Sequence, residues 1–447
     1  MILELTICFA AFYLLLLLLR RDQLSLGLPF AYLSLLLVMH LPGAVAHVVA
    51  GSVLPGGEFV ELGLRYTTIG VVCFVLGVWV ARLTVRPPHQ LVKADRRKFA
   101  MFCLVGGWIF VYALAPLSRI PSLGAAISTG GAIWMLGTLL GLRAAMQAND
   151  MRRFLVWGSA LAVYPVLMLI LGGFLSYGVA AVTIVTSVLA VAARSQVRAI
   201  GSILLVIFVG MTVFVNYFDH RTDIRESVWG GASMENRVDS VLGAFAGAHF
   251  IDLSNDKDLN ALDQRLNQNM FVGLAAARLQ DKEIDYLNGQ SVIDGALAVI
   301  PRAFWPNKPE VAGSGQMVAQ ATGLKLNEDT SWGVGNVLEF YINFGLAGVI
   351  VGFFLLGLLL ATLDVKAAAA GRHGDFRAMI ALFLPCVAVI QPGGSFVEMT
   401  GGAAAAVLAS FAWGWAWDVW RTRRRDGARV AGLAEGRFPQ SRHGPAA

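Results

Sequence analysis

The chain has 447 residues, of which 57% are hydrophobic and only 14% are charged. Soluble domains carry about 25% charged residues, so this composition excludes an ordinary soluble protein and indicates a protein of the lipid bilayer. The net charge of +6 does not indicate nucleic-acid binding, because the cations lie in short loops between apolar runs and in the C-terminal tail, where membrane topology accounts for them.

Apolar runs of about 20 residues, the length that a helix needs to cross the hydrocarbon, recur along the chain. The first run has no positively charged leader and no small-residue cleavage site, so we expect a retained helix and not a signal peptide. We predict an all-α polytopic membrane protein with about eleven transmembrane helices, over residues 2–19, 28–50, 63–82, 100–116, 122–141, 154–171, 174–193, 199–217, 336–363, 376–392 and 400–420.

Lysine and arginine occupy every second loop between these runs, from Arg20 and Arg21 to Arg372 and Arg377, and the intervening loops hold almost none. By the positive-inside rule, the N-terminus lies outside the membrane and the C-terminus lies in the cytoplasm. The predicted units are an N-terminal bundle of about eight helices, an outer loop domain, about three C-terminal helices and a basic disordered tail, over 1–217, 218–335, 336–420 and 421–447.

The interval 218–335 is more polar than the rest of the chain and contains three stretches with helical spacing of apolar residues. They are MENRVDSVLGAFAGAHF from Met234, LDQRLNQNMFVGLAAARLQD from Leu262 and SVIDGALAVIP from Ser291. We predict a helix in each, the third one stopped by Pro301. Such helices are suited to lie on the membrane surface and to cover a cavity between the transmembrane helices.

Motifs of soluble enzymes are missing from the sequence: no G-x-S-x-G, Walker A loop, dinucleotide fingerprint, H-E-x-x-H or C-x-x-C occurs. The cysteines lie inside apolar runs without paired spacing, so they predict neither a disulfide framework nor a zinc site. His40 and His47 lie seven residues apart, on one face of the second helix beside Pro42. We expect them to hydrogen-bond neighbouring helices, with a functional role as the alternative.

The stretch IPRAFWPNKPE, residues 300–310, contains three prolines that disfavour helix at and before their positions. They predict a stiff loop that holds Arg302 and Lys308 in limited positions, with Trp305 at the membrane interface. A fixed arginine beside a fixed lysine suits a phosphate or diphosphate. A structural turn with an interfacial anchor is the alternative.

This stretch, together with NVLEFYINFGLAGVI at the start of a later apolar run, resembles the bacterial oligosaccharide repeat-unit polymerases of the Wzy type, which are O-antigen polymerase-like membrane proteins. The resemblance in motifs covers about residues 261–350, and the arrangement of many helices with one large periplasmic helical loop domain extends it loosely to the whole chain. It implies a GT-C-like glycosyltransferase that transfers a growing glycan from undecaprenyl diphosphate to the next lipid-linked repeat unit.

The resemblance also implies a site at the outer face, because a diphosphate leaving group needs cations there and an acceptor hydroxyl needs a base or an orienting carboxylate. Some of these polymerases share an R-x10-G pattern, which Arg278 and Arg302 fit. We predict catalytic roles for Glu339, Arg302 and Arg278, and binding of the diphosphate or glycan by Arg265, Lys308, Arg65 and Trp305. Weaker candidates for the base are His249, Asp294 and Glu398. We expect no cofactor and no metal, since no outer cluster has ligand spacing.

The sequence leaves two other functions open. An O-antigen ligase shares the architecture and the donor but transfers the glycan to another acceptor. A transporter or flippase moves the same lipid-linked sugar, although helices nearly free of charge and without an evident internal repeat disfavour it. The expected partners are undecaprenyl-diphosphate-linked oligosaccharide, membrane lipids, a chain-length regulator and a flippase of the same pathway, without nucleic acid. The expected location is the bacterial inner membrane, with a periplasmic N-terminus.

Overall fold

The computed structural model describes residues 1–20, 25–50, 54–84, 96–113, 117, 127, 129–300, 305, 313–325 and 332–434. Within these ranges the long regular elements are α-helices and no β-strand occurs. The helices are α1 (Ile2–Arg20), α2 (Leu28–Ala50), α3 (Gly57–Thr84), α4 (Arg96–Ala113), α5 (Gly130–Ala148), α6 (Met151–Gly172), α7 (Ser176–Ala192), α8 (Gln196–Trp229), α9 (Met234–Ala246), α10 (Asp256–Arg265), α11 (Gln268–Gln280), α12 (Gln290–Ala298), α13 (Ser314–Thr322), α14 (Asn336–His373), α15 (Phe376–Val389) and α16 (Phe396–Ala434).

Seven of the described helices are long and apolar enough to cross a membrane, namely α1, α2, α3, α6, α8, α14 and α16. Two shorter apolar helices add to them. One is Gly178–Ala192, within α7, and the other is α15. The prediction of an all-α polytopic protein is confirmed, and the chain is a multi-pass membrane protein. The two other predicted runs fall in α4 and α5, and the count of eleven spans stays a prediction.

Two helices differ in extent from the predicted apolar runs. Helix α8 continues to Trp229, well beyond the predicted end at residue 217, and α5 covers Gly130–Ala148 where the run covers 122–141. Hydropathy locates only the apolar part of a helix, whereas arginine and glutamate are themselves good helix formers. The polar end of α8 therefore projects past the apolar part and carries charged side chains with it.

Helices α3 and α14 share the most extensive helix contact of the described residues. A Cβ on Gly77 would lie 2.1 Å from the carbonyl oxygen of Phe354, and one on Gly357 would lie 2.2 Å from that of Phe74. Small residues let backbones approach closely in a bilayer, where the hydrophobic effect does not drive helices together. Glycine at these positions thus sets the spacing at the centre of the bundle.

Helix α11, from the polar interval 218–335, packs against α3 as closely as a transmembrane neighbour does. A Cβ on Gly63 would lie 1.9 Å from the carbonyl oxygen of Asn269, and one on Gly273 would lie 1.8 Å from that of Phe59. Apolar side chains of α11, among them Val272, belong to the same buried core as α3 and α14. The interval is therefore anchored in the bundle through α11.

Helix α14 is broken near its start, where a continuous helix was expected. Gly345 has φ 61° and ψ −149°, which separates residues 336–344 from the long apolar part of the helix. Only glycine adopts this backbone conformation readily. The short first part brings Asn336, Glu339 and Asn343, all buried, into the interior of the bundle.

Candidate functional site

Three arginines from two helices lie close together at the polar end of α8. Arg221 and Arg225 are one helical turn apart on α8, and Arg265 is the last residue of α10. The charges of Arg221 and Arg225 both act on Arg265. We call Arg221, Arg225 and Arg265 the arginine cluster.

Aromatic rings surround the guanidinium groups of the arginine cluster. The Arg265 guanidinium carbon lies 4.2 Å from the ring centroid of Trp332. The same carbon of Arg221 lies 4.2 Å from the Phe218 ring, and that of Arg225 lies 5.1 Å from the ring of Phe174 and 5.4 Å from that of Trp229. Cation–π contacts hold a guanidinium by its face and leave its N–H groups able to donate elsewhere.

The arginines of the cluster are not paired with carboxylates among the residues that the structure describes. None of its members forms a salt bridge there, and the buried Nε of Arg225 has no hydrogen-bond partner. Burial, followed by the repulsion of the other two arginines, lowers the pKa of Arg265 to about 10. An anion at this place would relieve the repulsion and accept several charge-assisted hydrogen bonds.

The arginine cluster is joined to the broken start of α14 by a short stretch of backbone. Trp332 stacks on Arg265, and the carbonyl of the next residue, Gly333, accepts a 3.4 Å hydrogen bond from Gln268 Nε2. The N–H of Asn336 donates to the carbonyl of Pro392 at 2.9 Å. The turn before α16 and the first turn of α14 are thereby held together near the cluster.

Glu339, the predicted base, is completely buried in that first turn of α14. Its Oε2 accepts a 2.8 Å hydrogen bond from the backbone N–H of Phe396, the first residue of α16. The Ser291 hydroxyl lies near the carboxylate, but Oε1 makes no hydrogen bond of good geometry with the described residues. In this arrangement Glu339 caps α16, where an anion is favoured by the helix dipole, and its catalytic role stays a prediction.

The weaker candidates for the base are held in different ways. Glu398 accepts hydrogen bonds from the Ser314 hydroxyl at 2.9 Å and from the Ser395 N–H at 3.0 Å. Asp294 accepts one from the Gln290 side chain at 3.0 Å. His249 differs from both, because its Nε2 lies 3.1 Å from the carboxylate of Asp258, which is buried, while the imidazole itself is 43% exposed.

Arg278 and Arg65 do not lie in the arginine cluster. Arg278 Nε forms a 2.9 Å salt bridge with Glu283, and its Nη1 donates to the carbonyl oxygens of Gln320 and Ala321 at the end of α13. Arg65 forms a 3.0 Å salt bridge with Glu61 and is 57% exposed. Both arginines are occupied by protein acceptors, and their predicted roles stay predictions.

The predicted proline-rich loop, residues 300–310, contributes two described residues, Ile300 and Trp305. Trp305 is partly buried, whereas Arg302 and Lys308 lie outside the described residues. The predicted grip of Arg302 and Lys308 on a diphosphate therefore stays a prediction.

The two histidines of α2 hydrogen-bond neighbouring helices, as predicted. His40 Nδ1 lies 2.8 Å from Asn269 Oδ1 on α11 and 3.1 Å from Thr67 Oγ1 on α3. His47 Nε2 lies 2.8 Å from Asp263 on α10. These bonds attach α10 and α11 to the bundle, and so they place the helix that carries Arg265.

The sequence predictions included Arg265 but missed Arg221 and Arg225. Both lie beyond the predicted end of the apolar run, in a part of α8 that was assigned to the outer loop. Their spacing of four residues, between Phe218 and Trp229, is the signal that would have indicated one cationic face flanked by aromatic residues.

Comparison with known proteins identifies the family alone. The family described as a domain of unknown function (DUF8712) matches residues 58–384, from α3 to α15. No curated protein matches the chain, and no solved structure matches it either. Because the match covers most of the chain, including the arginine cluster and Glu339, this membrane protein belongs to the DUF8712 family.

Proposed function

We propose that this protein is a GT-C-like membrane glycosyltransferase that polymerises undecaprenyl-diphosphate-linked oligosaccharide repeat units into a surface or exopolysaccharide. In this proposal it acts at the periplasmic face of the bacterial inner membrane, with its N-terminus in the periplasm. The observation that carries the proposal is the arginine cluster, in which three cations that pair with no carboxylate of the described residues lie at the polar end of an apolar helix.

The chemistry of a lipid diphosphate suits this position. On the N-terminal side of the cluster, the apolar part of α8 exposes Leu204, Leu205 and Phe208. A polyprenyl chain would therefore remain in the bilayer beside this part of the helix. The diphosphate would then lie at the level of the arginines. Two adjacent phosphate groups offer enough acceptor oxygens for several guanidinium groups, and arginine binds such groups in a bidentate manner.

The same cations suit the transfer reaction. When the bond between the sugar and the diphosphate breaks, negative charge develops on the leaving undecaprenyl diphosphate. Fixed cations in a partly buried place stabilise that charge and thereby lower the barrier. Arg221, Arg225 and Arg265 would serve this purpose, and Arg302 and Lys308 of the proline-rich loop are the predicted additional cations.

Binding is the first test of the proposal. The wild-type protein in lipid nanodiscs should bind undecaprenyl diphosphate more tightly than undecaprenyl monophosphate, because only the diphosphate engages the whole cluster. The double substitution Arg221→Ala with Arg225→Ala should weaken diphosphate binding by at least about 100-fold, since each lost bond to a charged group contributes about 1.5–3 kcal/mol. Arg198→Ala, at the other end of α8 and exposed, is the matched control.

Product analysis is the second test and separates the functions that share this ligand. Proteoliposomes supplied with lipid-linked repeat units should form a ladder of longer lipid-linked glycans. Transfer of the glycan to a different acceptor would replace the proposal with a ligase function. Movement of the lipid-linked sugar between leaflets without any lengthening would replace it with transport.

A further inference from the structure

His249 is held by its backbone as well as by its side chain. It lies between α9 and α10, where its N–H donates to Asn216 Oδ1 at 3.1 Å and its carbonyl accepts from Asn216 Nδ2 at 2.8 Å. Asn216 belongs to α8 and is buried. The position of His249 is therefore fixed on the helix that carries Arg221 and Arg225, independently of what its imidazole does.

The imidazole of His249 is oriented by a buried carboxylate. Its Nε2 lies 3.1 Å and 3.3 Å from the two oxygens of Asp258, which also accepts the N–H of Asp252 at 2.9 Å. A carboxylate accepts hydrogen bonds, so Nε2 donates its proton to Asp258, and in the neutral imidazole Nδ1 then keeps its lone pair. An exposed imidazole with one nitrogen on a buried aspartate is an arrangement that accepts a proton from a hydroxyl.

The dyad of His249 and Asp258 lies about two helical turns from the arginine cluster. Asp258 and Arg265 are seven residues apart on α10, which is about two turns and places them on the same side of the helix. On α8, Asn216 precedes Arg221 and Arg225 by one to three turns. Along the axis of α10, the dyad and the arginine cluster are thus separated by on the order of 10 Å.

Glu339 is a less suitable proton acceptor than His249. It has no exposed surface, and one of its oxygens is used by the Phe396 N–H. His249, by contrast, has its unused nitrogen on a side chain that is 43% exposed.

Resting on the proposed function, we infer that His249, positioned by Asp258, is the general base of the transfer. His249 Nδ1 takes the proton of the acceptor hydroxyl as its oxygen bonds to the anomeric carbon of the donor. The bond between that carbon and the diphosphate oxygen breaks, and its electron pair leaves with undecaprenyl diphosphate. Asp258 stabilises the resulting imidazolium, and the arginine cluster stabilises the leaving group.

The test measures glycan lengthening and lipid binding on the same proteins. In proteoliposomes, His249→Ala should lower the lengthening rate by roughly 100-fold to 10,000-fold, the usual contribution of a general base. Its binding of undecaprenyl diphosphate should stay within about twofold of wild type, because the cluster is intact. Added imidazole should restore part of the rate in His249→Ala, which a purely structural role would not allow.

Two further variants keep the test decisive. His249→Gln retains a donor for Asp258 but has no basic nitrogen, so it should be as slow as His249→Ala while folding normally. His220→Ala, an exposed histidine on α8, should keep the wild-type rate. A wild-type rate in His249→Gln would overturn the assignment of the base and leave the polymerase proposal standing. A wild-type protein that binds the lipid but never lengthens the glycan would overturn both.

Discussion

Arginines at the predicted outer face fall into two groups that differ in what holds them. Arg278 and Arg65 donate their N–H groups to carboxylates and helix carbonyls of the protein. Arg221, Arg225 and Arg265 lie against aromatic rings, which contact the guanidinium face, and no described carboxylate forms a salt bridge with them. The kind of partner therefore distinguishes an arginine that braces the fold from one that is available to a ligand.

Charge reversal at Arg265 should have the largest effect on ligand binding by the arginine cluster. A carboxylate at this position would attract Arg221 and Arg225 where wild type has repulsion, so Arg265→Glu should unfold at a temperature no lower than wild type. Its affinity for inorganic pyrophosphate should nevertheless fall by about 100-fold or more, because the cluster then carries its own anion. Calorimetric titration and thermal unfolding in detergent measure the two effects, and unchanged pyrophosphate affinity would contradict the assignment.

Removal of Arg278 should have the opposite pattern. Arg278→Ala leaves the carbonyls of Gln320 and Ala321 without this donor and removes the salt bridge with Glu283, so we expect a loss of about 1–3 kcal/mol in the free energy of unfolding. Thermal or denaturant unfolding gives this value, and pyrophosphate titration gives the comparison with the cluster. A loss of glycan lengthening far beyond what the lost stability explains would favour the catalytic role that the sequence predicts for Arg278.

Substitution of a supporting ring should have the smallest effect. Trp332→Leu removes the ring under Arg265, which contributes about 1 kcal/mol through the cation–π contact, so pyrophosphate should bind roughly fivefold more weakly. Trp332→Phe keeps a ring face and should lose less. The exposed Trp415 on α16 supplies the control, since Trp415→Leu should leave the affinity unchanged. Equal pyrophosphate affinities of the leucine and phenylalanine variants at position 332 would show that the ring face does not contribute to binding.

The helical membrane architecture could be predicted from the sequence, because long apolar runs indicate segments that are buried in lipid. The hydrogen bonding of His40 and His47 to neighbouring helices could also be predicted, since polar groups inside a bilayer need partners. The identity of those partners could not be predicted, because Asn269 and Asp263 are more than 200 positions away in the chain. Local periodicity carries no information about such distant contacts.

Most of the candidate site also depends on contacts that helical periodicity does not predict, although they join residues closer together in the chain. The sequence identified Arg265 as a cation in the right interval, but its neighbours on α8 depend on a helix that continues past its apolar part. The dyad of His249 and Asp258 depends on a loop that turns back onto the start of α10. Glu339 was recognised as a carboxylate at the start of α14, yet its burial depends on the break at Gly345 and on the approach of α16.

The close contact between α11 and α3 also has a consequence for synthesis of the protein. Thr67 and His40 are synthesised about two hundred residues before Asn269, which forms hydrogen bonds with both. Gly63 of α3 is likewise synthesised before α11, the helix that packs against it. After the first three helices have inserted into the membrane, the polar side chains of His40 and Thr67 therefore lack their hydrogen-bond partner. They gain it only when residues 266–280 have been translocated and have packed against α3. Chains that terminate before that point should be substrates for membrane quality control, even though every one of their apolar helices is complete.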